Sequence, residues 1–375
     1  MSESNDGFED ERAAEIDPGL FGVTPESFRE WRFPRVGNSN PEKVESKVWE
    51  WLVRSRLDGF RATEKMNGPS PMQAGPTWSF DRFGRTSTRL PDGRTIFVAG
   101  EHEDHYDPDF HIYNDVVVLT AGDSIEFYCY PKSVFPPTDF HTATPVDGNI
   151  VIVGNLGYPE QRREQTQVLL LDTATYEVSE VTTSGPSPGW IHEHKAELSA
   201  DRRFIILSGG KLDSGPGIPL RENIDDWRLS LNDWRWERLT ERRWVRWELR
   251  RKDRKFNHLW YIRQALFNYE MKWEEEYKKS MEDLSARTGH TPDARLIRNI
   301  YSPAMAHEKL PEADGEYNVY RIRVDGVVVR FVEESHCIQV TVEGELPQST
   351  SEVIRQDTLA KVSALDNAEY EVESY

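Results

Sequence analysis

Apolar and polar positions fall into three regimes along the chain. Between residues 80 and 234, short apolar runs end in small or polar turn residues: Thr95-Ile96-Phe97-Val98-Ala99-Gly100, Ile150-Val151-Ile152-Val153-Gly154-Asn155 and Ile205-Ile206-Leu207-Ser208-Gly209-Gly210. Their length and β-branched content predict strands. From Phe256 to Arg287 the spacing changes to three and four, with Ile262, Leu266, Tyr269, Trp273, Tyr277, Met281 and Leu284 as an apolar stripe. That period predicts a long surface helix or a helical pair. Alternation returns from Val319 to Val332 around Asp325-Gly326, the signature of a hairpin, and Cys337–Val342 reads as another strand before a helix over Ser351–Ala364. Near the start, Thr24-Pro25-Glu26-Ser27 has the form of a capped helix start, and Val44, Val48, Trp49, Leu52 and Leu57 fit a second helical stripe.

The three apolar runs end at positions 100, 155 and 210, a period of 55. A polar excursion follows each, then a segment containing or flanked by Asn or Asp: Tyr113-Asn114-Asp115 with Val116–Leu119, Thr166–Asp172, and Asn223–Leu229. An aromatic comes next, at Phe127, Tyr176 and Trp234. Such a period marks a repeated supersecondary unit that buries its faces against its neighbours. The pattern resembles the kelch repeat, through the run into Gly209-Gly210, Tyr113-Asn114-Asp115 and the aromatic at Tyr176 or Trp234. The resemblance covers roughly the middle half of the chain and implies four-stranded propeller blades. The fold class expected is therefore mainly β, a degenerate kelch-like β-propeller with helical additions and a small C-terminal α+β region. The expected divisions are an acidic disordered tail over 1–18, a helical segment over 19–67, repeats over 68–240, a basic and aromatic helical region over 241–310, and a small α+β domain over 311–375.

A formal charge of −19 disfavours general affinity for DNA or an anionic membrane. The two cysteines, Cys129 and Cys337, supply no disulfide framework, and no apolar run reaches membrane-spanning length. These features predict a cytoplasmic protein with no membrane partner.

Candidate chemistry concentrates in the first excursion, residues 101–111, which holds three histidines and five carboxylates. Carboxylate oxygen and imidazole nitrogen suit iron, manganese or zinc. Within it Glu103, Asp107 and His111 resemble the Glu-x-x-x-Asp-x-x-x-His iron motif of plant kelch proteins that direct glucosinolate breakdown. A divalent metal there would activate water or polarise a substrate. A second potential ligand set is His141, His192 and His194. Arg242, Arg243, Trp244 and Trp247 begin a basic run, over 242–255, whose cations and rings suit phosphate and unpaired bases. With a paired, solvated role as the plainer alternative, nucleic acid is not the expected partner.

The leading expectation is protein or peptide recognition by variable loops on the β scaffold. His102, His105, Asp109, Tyr158, Arg162, Arg163, Arg242, Arg243, Trp244 and Trp247 would form its interaction surface. Homo-oligomerisation stays open. The alternatives are a metal-dependent small-molecule enzyme centred on Glu103, Asp107 and His111, and a nucleic-acid-associated protein using the basic run. No catalytic residue is assignable from the sequence.

Overall fold

The computed structural model describes residues 16–102, 108–313 and 316–375. The chain divides into two compact units, one extending to Glu241 and one from Arg242 to Tyr375.

In the N-terminal unit each glycine-ended run is an inner strand of its own antiparallel meander. The first sheet has the order Glu42–Val44, Ile125–Cys129, Asp115–Leu119, Thr95–Val98, Thr86–Arg89. The second runs Val178–Glu180, Val168–Asp172, Asn149–Val153, Thr142–Val146, and the third Lys195–Leu198, Phe204–Ser208, Trp227–Ser230, Trp236–Arg238. Ile150, Val151, Ile152 and Val153 are all buried, so this strand is covered on both faces, which is why it reads as an unbroken apolar run. The residues ending the runs turn through positive φ: Ala99 at 48° and Gly100 at 93°, Gly154 at 79°, Gly209 at 62° and Gly210 at 84°. A Cβ at Gly154 would collide with the Ile191 carbonyl and the His194 ring, so here glycine answers to packing as well as to φ.

This architecture overturns the kelch-like propeller. The described residues form six open sheets, none closed into a barrel or propeller, and the protein is of mixed α/β class. Glycine-ended strands specify local meanders, whereas closure requires the edges of distant sheets to meet, and a 55-residue period carries no information about that. The first sheet also takes a fifth strand from outside the repeat, Glu42 pairing with Cys129 and Val44 with Phe127.

Four α-helices lie ahead of the strand Thr86–Arg89: α1 (Pro25–Trp31), α2 (Lys47–Ser55), α3 (Gly59–Lys65) and α4 (Pro71–Ala74). Thr24 and Ser27 close a capping box on α1, and the Ser46 hydroxyl accepts from the Trp49 amide to start α2. Helix α2 buries Val48, Trp49, Trp51 and Leu52. Trp49 stacks on Trp78 at 4.8 Å, and Phe127 meets both rings edge-on at 5.6 Å, joining helix to sheet. Beneath them the buried Asp115 carboxylate accepts from Trp78 Nε1 at 2.8 Å and from Arg82 at 2.5 and 3.0 Å. The Arg82 guanidinium also lies 3.3 Å from the Tyr113 ring centroid.

The C-terminal unit is a six-stranded antiparallel sheet in the order Glu308–Lys309, Val319–Val324, Val327–Glu333, Cys337–Val342, Val245–Arg251, Tyr370–Ser374. Helices α5 (Leu259–Glu270), α6 (Glu274–Thr288) and α7 (Gln348–Asp366) belong to this unit. Leu259, Ile262 and Leu266 of α5, Leu284 of α6 and Ile354 and Val362 of α7 join Ile338, Val340 and Val342 in one core. Asp325 and Gly326 take φ of 48° and 83°, the left-handed pair that a tight two-residue hairpin requires.

The middle of the basic run falls on an interior strand of this sheet. Trp247 is buried in the core. Arg250 pairs with Glu248 at 2.8 Å, Lys252 with Glu369 at 3.0 Å and Arg254 with Glu371 at 2.6 Å. Much of the run's charge is thus neutralised within the fold.

Replacing Asp115 by Ala would leave the Arg82 cation buried without its carboxylate. The expected loss is about 3–5 kcal/mol, read as a fall in the urea midpoint at constant slope. An unchanged midpoint would show that this ion pair does not hold the helix–sheet junction.

Candidate functional site

A cleft in the C-terminal unit is braced from behind its lining by the buried Asp366, the last residue of α7. A carboxylate there faces the negative end of the helix dipole, so it requires compensation. Four donors supply it: the His258 amide at 2.9 Å and His258 Nδ1 at 2.7 Å on Oδ1, with Arg251 Nη1 at 2.8 Å and the Tyr370 hydroxyl at 2.7 Å on Oδ2. Burial, and then the Asp366 charge, push the Tyr370 phenol well above its ordinary range, so it stays a donor. Arg251 also forms an ion pair with Asp253 at 2.7 Å.

With Nδ1–H directed to Asp366, Nε2 is the ring atom His258 has left for a ligand. The ring lines a cavity of about 890 Å³ at the start of α5. Phe256, Trp260 and Tyr261 supply aromatic walls, and Arg254, Lys255, Arg287 and His336 supply nitrogen donors. Phe256 packs at a tilt against His336 at 4.2 Å, Trp260 meets Tyr261 edge-on at 5.0 Å, and Arg287 lies over Tyr261 at 4.4 Å. The far rim is held by Asn257, whose amide side chain donates to the carbonyls of Glu334 at 2.7 Å and Ser335 at 3.0 Å. Glu333 is occupied by Arg263 and by the Tyr301 hydroxyl at 2.6 Å. Lys255 and Arg287 form no ion pair among the described residues, and although Glu334 also lines the cleft beside Glu333, arginine and lysine outnumber carboxylates there, giving an aromatic lining of net positive charge.

The residues singled out from the sequence lie elsewhere. Thr86 Oγ1 is 2.7 Å from His141 Nε2, and Thr142 Oγ1 is 2.9 Å from His194 Nε2, so each histidine ties one meander to the next. Glu193 has φ of 55°, which separates the strand ending at His192 from the one starting at Lys195. The two histidines therefore do not share one strand face. His102 Nδ1 contacts the Tyr113 hydroxyl at 2.5 Å, and the His111 ring packs edge-on against the same tyrosine at 4.9 Å.

The metal reading is corrected accordingly. Among the described residues no group of three or more His, Cys, Asp or Glu side chains could hold a metal ion, which argues against the iron, manganese or zinc cofactor and the metal-enzyme alternative. Glu103, His105 and Asp107 lie outside the described residues. Of the described histidines in that stretch, His111 pairs across a hairpin with His102, and both rings pack against Tyr113.

Of the expected surface residues, His102 and Asp109 are buried. The Tyr158 hydroxyl accepts from the Ile112 amide at 3.0 Å, Arg162 binds Asp213 at 2.7 Å and Arg163 binds Glu180 at 2.8 Å. The Arg242 guanidinium sits over Trp244 at 5.4 Å, and Arg243 is exposed. Sequence reasoning passed over His258, Arg287 and Asp366. Their only signal was a histidine immediately before the α5 stripe, since Asp366 lies 108 positions further on.

No protein-family model matches this chain. A search of curated proteins finds no similar sequence.

The buried histidines of the N-terminal unit make its stability acid-sensitive. Burial lowers His102, His141 and His194 to about 3 and His111 to about 4. Unfolded histidine titrates at ~6.5, so below that pH the unfolded chain binds more protons and stability is lost as the pH is lowered, by up to ~1.4 kcal/mol per pH unit for each histidine. A His141→Gln, His194→Gln variant should show a shallower decline of the urea midpoint between pH ~7 and ~4.5. An identical slope would mean that these rings do not govern it.

Proposed function

We propose that the C-terminal unit binds an anionic small molecule carrying a planar ring, with His258 as the group that exchanges a hydrogen bond or proton with it. The observation that carries this reading is the convergence of Lys255 and Arg287, both without carboxylate partners, with three aromatic walls on the cleft that His258 enters. The cations attract and hold the anion, and a ring gains by stacking on Phe256 or Trp260, which are 56% and 58% exposed. The space suits a drug-sized or mononucleotide-sized ligand. Asp366 fixes the His258 ring before any ligand arrives, so no rotamer search opposes contact at Nε2.

No described helix is long and apolar enough to cross a membrane. The two thiols support a reducing, cytoplasmic setting: Cys129 and Cys337 are buried and unpaired, and burial pushes Cys337 up to about 12.

Calorimetry and tryptophan fluorescence against mononucleotides, aryl phosphates and aryl carboxylates test this function. Saturable binding is expected for at least one class, weakening roughly tenfold or more in Lys255→Ala, Arg287→Ala and falling with added salt. Failure of every class to saturate, or equal affinity for an uncharged analogue, would overturn it.

A further inference from the structure

Helix α5 has two apolar faces. Leu259, Ile262, Ala265 and Leu266 are buried in the core of the unit. On another side Trp260, Gln264, Phe267 and Met271 follow the spacing 4, 3, 4, which places them in one narrow stripe along the helix. Trp260 is 58% exposed, Phe267 45% and Met271 49%. Trp273, in the turn between α5 and α6, is 45% exposed and meets Phe267 edge-on at 5.6 Å, extending the stripe past the end of the helix. A row of large apolar side chains in water is the surface signature of a docking site rather than of scattered exposure.

The charge beside it indicates what docks. Glu274, Glu275 and Glu276 fill the first turn of α6 immediately after Trp273, and none has an ion pair among the described residues. Carboxylates are favoured at a helix N-terminus. We propose that this face receives a basic amphipathic helix of a partner protein. The partner's apolar residues, spaced at i, i+3 or i+4 and i+7, would cover Phe267, Met271 and Trp273, and its flanking Lys or Arg side chains would meet the three glutamates. A second copy of this chain is a poorer occupant. A two-fold contact through the same stripe would bring one glutamate triad towards the other.

The test uses the full chain and two fluorescent 18-residue peptides, a Leu/Lys amphipathic helix and its Leu/Glu counterpart, followed by anisotropy. Trp260 is kept native because it also lines the cleft. The Leu/Lys peptide should bind saturably and the Leu/Glu peptide should not. Affinity should fall about tenfold or more in Phe267→Ser, Trp273→Ser and again in Glu274→Gln, Glu275→Gln, Glu276→Gln, each with unchanged circular dichroism. The second variant leaves the apolar surface intact and so reads charge alone. Unchanged affinity in either variant, or equal binding of both peptides, would overturn the proposal. So would a dimer, seen by light scattering, that Phe267→Ser, Trp273→Ser dissociates, or equivalent binding to neutral phosphatidylcholine vesicles.

Discussion

The candidate ligand site depends on one carboxylate. Asp366 closes α7, and its two oxygens gather donors from the strand that ends at Arg251, from the start of α5 and from the strand that begins at Tyr370. Such a buried charge is tolerable because all its donors are in place; a partly filled set would be worse than an apolar residue. Its arrangement also determines the chemistry of the cleft. Because His258 presents both its amide and Nδ1 to Asp366, the direction of the imidazole follows from the backbone of α5. The histidine is thus placed by structure, and only its other nitrogen is left for recognition.

The N-terminal unit repeats the device with different consequences. Asp115 gathers Trp78 and Arg82 beside three packed aromatic rings, and the result is a buried junction between helix and sheet. Its histidines serve the same end. His141 and His194 each reach a threonine at the edge of the preceding meander, so imidazoles that looked like metal ligands are uncharged connectors between sheets. Connectors of this kind fit a unit whose sheets are open and separate, since each meander needs contacts beyond its own strands to bury its faces.

Both misread features share a cause. Period and composition report what neighbours along the chain can do together. A glycine-ended strand at a spacing of 55 describes a meander well, yet whether meanders close into a ring is decided by edges far apart in sequence. The fifth strand of the first sheet comes from Glu42–Val44, which no repeat alignment predicts. Likewise the histidines and carboxylates of residues 101–111 are dense in sequence, but a hairpin turns His102 and His111 into the packing around Tyr113.

What the sequence determined by itself is local. Thr24 and Ser27 make their capping box, Asp325-Gly326 makes its hairpin, and the aromatic stripe after Phe256 makes a helical pair, because each depends on residues within a turn or two of one another. Tertiary structure alone decided which polar residues work together. Arg251, His258 and Asp366 are separated by 7 and 108 positions. They meet because the final helix folds back over a sheet with an interior strand drawn from the basic run. The physical reason is that a buried charge selects its partners by distance and direction in the folded chain, and neither is written in spacing along it.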